Sequence, residues 1–333
     1  FRMVNIETPG RLEGKEVIDV ITQVEERKPG SVSVSGGYSP SEGVRGTVGF
    51  AHNNLYKRNM KASAKLRIGT QGNLYEATLI EPWFIGRAIG SFRLFEDNLE
   101  EQDNIRAQGG TANIAKRLGL LSNLAIQYKY QELRPTTGEN ELSEERRAAL
   151  TTTVGSLGVS FRRDNRDSFL NPKNGWLNEL AFEYAGGIMG GETSFVKATT
   201  DDRFYWQFQG DMVLASAIRL GYAEGLRSTR EQGITSFERF RAGGSTTVRG
   251  YEERSLGPID EFGNHRGNVM FIFNAELRFS IYKMVGGALF FDTGNVWNKF
   301  SEIKDDPPHS AIGVGLRVDT PLGPARLDYS FPL

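Results

Sequence analysis

The feature that most constrains this chain is a two-residue alternation between large apolar side chains and small or charged ones. In the segment Phe271–Phe279 the polar residues Asn274, Glu276 and Arg278 all occupy even positions, and every odd position is aromatic or aliphatic. The same period returns in the segments 31–38, 312–318 and 325–331. Because alternate residues of a β-strand point to opposite faces, this period predicts an all-β fold.

The composition of the polar face decides which kind of β-fold is expected. A soluble β-sandwich packs its apolar faces together and also alternates. In this chain, however, the opposite face carries glycine, serine and charges of both signs, as at Gly313, Gly315 and Arg317. Such a face suits a hydrated lumen, and the apolar face then meets lipid. We therefore predict a transmembrane antiparallel β-barrel.

The alternation also assigns individual side chains to the two sides of the barrel wall. Six apolar residues are expected to face lipid: Phe271, Phe273, Leu277, Leu316, Leu327 and Tyr329. Six charged residues are expected to face the lumen: Glu276, Arg278, Arg317, Asp319, Arg326 and Asp328.

Composition excludes several other classes of protein. Hydrophobic residues make up 38% of the 333 residues, which is below the usual share in a soluble globular chain and argues against a large packed core. No window approaches roughly 18 consecutive apolar residues, the length of a membrane-spanning helix. A net charge of −1 offers no field that would recruit nucleic acid. Cysteine is absent, and His52, His265 and His309 lie in separate segments without metal-ligand spacing. We expect no catalytic site, no metal and no cofactor.

The spacing of turns and loops predicts the size and organisation of the barrel. Short turns alternate with longer polar stretches such as 96–104, 133–148, 225–269 and 294–309, which gives about fifteen strands between Ser31 and Phe331. Single-chain bacterial barrels close with an even number, so about 16 strands are expected, one of them beyond Leu333. Residues 1–30 are interpreted as the end of an upstream periplasmic domain, and residues 31–333 as the barrel domain.

The most specific motif lies in the longest connection, in the glycine-rich stretch 241–251. Its residues Val248, Arg249, Gly250 and Tyr251 resemble the Val-Arg-Gly-aromatic motif in the sixth extracellular loop of BamA-type outer-membrane assembly proteins. Four further stretches are similar to that family in the same order along the chain: 24–31 with 36–39, 163–176, 291–297 and 321–324. The resemblance covers essentially the whole chain.

The resemblance implies a sixteen-strand barrel that follows POTRA domains and lies in the bacterial outer membrane. The implied activity is the folding and insertion of other β-barrel proteins, without nucleotide or metal. The implied partners are nascent outer-membrane proteins, the lipid bilayer and periplasmic accessory lipoproteins. In that family the motif arginine meets acidic residues on inward strand faces, which here would be Glu276 and Asp292. Strand parity supports both positions, because Glu276 shares a face with Arg278 and Asp292 lies opposite Phe291.

Two other functions remain open from the sequence. A two-partner secretion channel of the same superfamily shares the Val-Arg-Gly-aromatic loop, and the upstream sequence would distinguish it from an assembly factor. The other is a passive diffusion porin, which would need neither an arginine loop inserted into the lumen nor a periplasmic segment before the barrel.

The first predicted strand suggests a place where the barrel wall is weak. Gly36 and Gly37 remove side-chain packing and raise the entropy cost of ordering that strand. An edge with unpaired backbone groups can template another strand. We therefore predict a lateral gate along Val32, Ser33, Val34, Ser35, Gly36, Gly37 and Tyr38. The alternative is that the closing strand pairs fully with this edge, so that the junction between them, the seam, never opens.

Overall fold

A computed structural model of the chain describes residues 3–8, 20–25, 28–39, 43–70, 72–99, 105–135, 151–227, 229, 234–260, 263–320 and 323–333. Over these ranges the chain forms seventeen β-strands. The first nine are β1 Met3–Glu7, β2 Ile21–Glu25, β3 Gly30–Ser39, β4 Gly43–Leu55, β5 Met60–Gly69, β6 Gly72–Ile85, β7 Ala88–Leu99, β8 Ile105–Leu118 and β9 Ser122–Pro135. The others are β10 Thr152–Asp164, β11 Gly175–Ala185, β12 Phe195–Gln207, β13 Val213–Gly225, β14 Val269–Tyr282, β15 Val285–Trp297, β16 His309–Thr320 and β17 Gly323–Pro332. No helical segment in the described ranges is long and apolar enough to cross a membrane.

Strands β3 to β17 form one antiparallel sheet of fifteen strands in which every neighbour in space is a neighbour in sequence. The predicted all-β class and the count of about fifteen strands are confirmed. The sheet curves around a lumen, because the connection between β13 and β14 contacts Lys129 in β9 and also Asp328 in β17. Among the described strands, β3 and β17 are the two edges of the sheet.

A second, two-stranded sheet precedes the barrel strands. In it, β1 pairs antiparallel with β2, with Met3 opposite Glu25 and Glu7 opposite Ile21. Within the described residues β2 begins at Ile21, and residues 9–19 lie outside the described ranges. The assignment of residues 1–30 to a periplasmic POTRA domain stays a prediction.

The two faces of the wall divide the side chains as the alternation predicts. Leu316 stands opposite Leu327 on one face, and both are exposed on the outside. Arg317 stands on the other face, where Nη2 lies 2.9 Å from Oε2 of Glu276 across the lumen side of the wall. The predicted division is confirmed for the side chains that the structure describes. The side chain of Asp319 lies outside them.

A packed apolar core fills the lumen at the long-loop end, where the sequence suggested hydration throughout. The described part of the connection between β13 and β14 folds inward and brings Ile234, Phe240, Ala242, Val248 and Leu256 into this cluster. They pack on inward-facing wall residues that include Ile105, Leu133, Val154, Phe195, Ile272 and Val296. A Cβ on Gly221 would lie 2.7 Å from the ring of Phe240, so glycine makes room for that ring. Strand periodicity carries no information about a loop that returns into the barrel, which is why the core was missed.

Three of the predicted long loops are shorter than the polar residues suggest. Residues 96–99 belong to β7, residues 133–135 to β9 and residues 294–297 to β15. At the end of β7 the polar residues pair with the neighbouring strand: Nη2 of Arg106 in β8 lies 2.6 Å from Oε1 of Glu96. Cross-strand pairs of opposite charge support a strand, so polarity alone did not mark a loop here.

The assignment of faces predicts opposite outcomes for two adjacent substitutions in β8. Ala112→Arg puts a cation on the outward face and is expected to destabilise the barrel by about 2–4 kcal/mol near the bilayer midplane. Asn113→Arg puts the same side chain on the lumen face and is expected to cost much less. Urea unfolding of both variants in lipid bilayers, followed by tryptophan fluorescence, tests this. Equal losses would contradict the assigned faces.

Candidate functional site

Arg249 reaches the barrel wall from the inserted connection and forms a two-pronged contact with Asp292 of β15. Its Nε lies 2.7 Å from Oδ2, and its Nη2 donates to Oδ1 at 2.9 Å. The backbone N–H of Arg249 donates to the same carboxylate at 3.1 Å. Nη1 lies 3.0 Å from Oε2 of Glu276 in β14. The structure thus brings together the three residues that the resemblance and the strand parity had paired.

The site also contains residues that were not assigned to it from the sequence. Nη1 of Arg249 lies 3.0 Å from Oδ2 of Asp328 in β17, and the guanidinium carbon stands 3.5 Å from the ring centre of Phe290. Asn274 donates from Nδ2 to Oδ1 of Asp292 at 2.8 Å and to the carbonyl of Thr247 at 2.7 Å. Parity placed Asp328 and Asn274 inward, but it could not show that they face the loop.

The charges around Arg249 are balanced. Three carboxylates, from Glu276, Asp292 and Asp328, meet three guanidinium groups, because Arg278 and Arg317 also bind Glu276. Asp292 is fully buried, so its contacts with Arg249 offset the cost of removing the carboxylate from water. Burial opposes the charged form of Arg249, but its hydrogen bonds with Asp292, Glu276 and Asp328 prevail and raise the pKa of the guanidinium. The arginine stays charged.

The three other motif residues hold the loop in place around Arg249. Val248 is fully buried in the apolar core. Gly250 has a φ of +99°, and a Cβ there would lie 3.2 Å from the Cβ of Ala311. Both a left-handed backbone and a close neighbour therefore favour glycine. The hydroxyl of Tyr251 donates to the carbonyl of Ser310 at 3.2 Å.

A second ionic contact fixes the same connection to the opposite part of the wall. Glu238 is buried, and its Oε1 lies 3.0 Å from Nζ of Lys129 in β9. Its Oε2 lies 3.3 Å from Nζ of Lys197 in β12. Burial alone would raise the pKa of Glu238, but the two ammonium groups outweigh it and lower the pKa. The sequence contained a signal for this contact, because Lys129 and Lys197 both fall on inward strand positions. An ammonium group inside the barrel needs an acidic partner.

These contacts suit a fixed attachment between loop and wall. In the described ranges, no group of three or more His, Asp or Glu side chains is placed to hold a metal ion. Each carboxylate around Arg249 is instead occupied by arginine. We call the set of Val248, Arg249, Gly250, Tyr251, Glu276, Asp292 and Asp328 the loop latch.

The residues proposed for the gate lie on β3, an edge strand among the described strands. The strand pairs with β4 on one side, from Gly30 opposite His52 to Ser39 opposite Gly43. No described strand pairs with its other side. Val32, Val34 and Tyr38 are between 66% and 77% exposed on the outward face. Ser33, Ser35 and Gly37 alternate with them, and a Cβ on Gly36 would meet nothing closer than 3.7 Å. The two glycines are therefore not required by close packing.

Comparison with known proteins agrees with this architecture. The sequence profile of the Omp85 superfamily domain matches residues 54–333. The outer membrane protein assembly factor BamA of Nitratidesulfovibrio vulgaris is 27% identical over 336 residues, covering 96% of this chain and 41% of that protein. The chain thus spans less than half of that relative's length.

Two solved structures share the fold. A crystal structure of BamA from Haemophilus ducreyi, lacking POTRA domains 1–3, superposes with a TM-score of 0.78 at 18% identity, covering all of this chain and 72% of that one. The structure of CdiB from Acinetobacter baumannii superposes with a TM-score of 0.55 at 15% identity, covering 99% of this chain and 61% of that one. At these identities the likeness concerns the fold.

Proposed function

The chain belongs to the Omp85 superfamily, and from that premise we propose that it is the membrane barrel of a factor that folds and inserts other β-barrel proteins into the outer membrane. The relative from Nitratidesulfovibrio vulgaris, which matches 96% of the chain, is named an assembly factor of this kind. Within the structure, the proposal is supported by the position of β3 at one edge of the described sheet, beside the seam where the barrel closes.

When the seam opens, the backbone N–H and C=O groups along the edge of β3 lose their pairing partners. Each backbone N–H or C=O left without a partner in hydrocarbon costs several kcal/mol. A client strand can satisfy these groups by backbone pairing, which is β-strand addition. Because backbone pairing requires little of the client's side chains, one edge from Val32 to Tyr38 can serve many clients. The glycine pair lowers the cost of releasing each client afterwards.

The loop latch has a mechanical part in this proposal. Arg249 joins the inserted connection to β14, β15 and β17, and β17 is the other edge of the sheet. The latch therefore stiffens one side of the seam while the edge of β3 is left to move. The activity needs no chemical step, cofactor or metal. Its partners are nascent outer-membrane barrel proteins and the bilayer, with periplasmic lipoproteins as accessory subunits.

A secretion channel of the two-partner type is the alternative, and it would have to open this filled lumen. The apolar core blocks the long-loop end of the lumen, so a translocating chain would first have to displace the connection and its ionic contacts. Conductance of the full-length protein in planar bilayers distinguishes the two functions. A secretion channel would show large sustained openings that increase when Arg249 and Glu238 are replaced.

The seam can be tested by disulfide crosslinking in the full-length protein. A cysteine at Ser33 should crosslink to a cysteine in the terminal strand of a client while that client is being assembled. Ser63→Cys is the matched control, because Ser63 occupies the same lumen face of β5, which is paired on both sides.

A lock provides the decisive outcome for the gate. Joining Ser33→Cys by a disulfide to the strand that faces it across the seam should stop client insertion, and a reductant should restore it. Normal insertion with the lock formed would defeat the gate proposal.

A further inference from the structure

The outward face of the barrel carries an apolar groove near the long-loop end of β10 to β15. Its volume is about 680 Å³. The groove is lined mainly by apolar side chains of these six strands and of the connection between β15 and β16, residues 298–308. The large side chains that line it, such as Phe182, Tyr222 and Phe271, point to the face opposite the loop latch, so the groove opens toward the membrane and not toward the lumen.

The floor of the groove is formed by β12, whose outward side chains are small there. Ala198 and Thr200 are the outward residues of β12 in this region. On either side, β11 presents Leu180 and Phe182, and β13 presents Leu220 and Tyr222. Two rows of large side chains thus border a row of small ones, and the wall has a trough along β12.

The connection 298–308 forms a roof over the upper end of the trough. The ring of Phe300 stacks on Tyr222, with ring centres 5.5 Å apart. Ile303 and Pro308 complete the apolar lining of the roof. Trp297 points outward but is only 1% exposed, and its Nε1 donates to the carbonyl of Asp306 at 2.6 Å. This connection therefore folds over the outer wall, whereas the described part of the connection between β13 and β14 folds into the lumen.

We propose that this groove is a binding site for one acyl chain of a bilayer lipid, held in the leaflet on the long-loop side. The groove is continuous with the lipid-facing wall, so hydrocarbon is the material in contact with it. An empty trough would leave its lining without contact atoms on one side and forfeit their dispersion energy. A single acyl chain can lie beneath Phe300, where it contacts both the wall and the roof. An annular lipid elsewhere contacts the wall only. Such a chain exchanges more slowly than its neighbours.

Photo-crosslinking tests the site in the full-length protein reconstituted into vesicles. The probe is a phosphatidylethanolamine with a diazirine in one acyl chain, diluted into unlabelled phosphatidylethanolamine. Peptide mapping should show several-fold more adducts on residues 180–182, 220–222 and 297–308 than on residues 124–130 of β9, another lipid-facing stretch. Even labelling of all lipid-facing stretches would overturn the proposal.

Two variants show whether the groove itself is responsible. Ala198→Phe fills the trough and should reduce groove adducts to the level of β9. Ala112→Phe places the same ring on an exposed outward position of β8 and should change nothing. Phe300→Ala removes the roof without altering a strand, so it answers the question even where Ala198→Phe fails to fold. Undiminished labelling in folded Ala198→Phe or Phe300→Ala would show annular contact only and reject the site.

Discussion

Replacing Arg249 with alanine is expected to lower the free energy of unfolding by about 3–5 kcal/mol, the usual loss when one partner of a buried ion pair is removed. The substitution leaves Asp292 fully buried without its two-pronged partner and removes a cation from Glu276 and Asp328. Urea unfolding in bilayers measures the stability. Client insertion by the full-length variant, measured in reconstituted vesicles, should fall with it, because the connection is released from β14, β15 and β17.

Two further variants separate charge from geometry. Arg249→Lys keeps the positive charge but lacks the planar fork that binds Asp292 with two hydrogen bonds, so an intermediate loss is expected. Arg326→Ala is the matched control. Its guanidinium is exposed, donates to the carbonyl of Ser245 at 3.2 Å and has no carboxylate within ion-pair distance in the described ranges. Arg230→Ala, on the approach to the motif, is expected to have little effect, and Arg230 lies outside the described residues. Wild-type stability of Arg249→Ala would contradict the latch.

Glu238→Ala is expected to cause a smaller loss, because it removes the carboxylate partner of Lys197 but leaves Lys129 paired with Glu183 at 3.1 Å. Glu238→Gln can still hydrogen bond and should lose less. The same unfolding measurement tests both variants. Glu252→Ala is the control, since Glu252 lies exposed in the same connection.

The ionic contacts of Arg249 and Glu238 hold the same connection to the wall. This predicts how the losses of stability caused by the two substitutions combine. Once Arg249→Ala has released the loop on one side, part of what Glu238 contributes is already lost. The double variant should therefore lose less stability than the sum of the single variants, as expected for groups that share a structural element. Strict additivity would show that the two contacts act independently.

The face of the wall that each strand residue occupies could be predicted from its neighbours in the sequence. A period of two is a local property, so the inward positions of Glu276, Asp292 and Asp328 follow from their immediate neighbours. The Val-Arg-Gly-aromatic motif then identified the loop residue that they would meet. Strand number followed equally well, because each strand pairs with the next one in sequence and needs no long-range information.

Only the tertiary structure decided which inward residues meet the loop. Asp328 contacts Arg249 across 79 positions of the chain, and Glu238 contacts Lys129 across 109. Those meetings depend on the curvature of the whole sheet and on the height of each residue in the barrel, which a period of two does not encode. The direction of the loops is likewise global: the described part of the connection between β13 and β14 turns inward and residues 298–308 turn outward, because each finds its apolar partners on a different side of the wall.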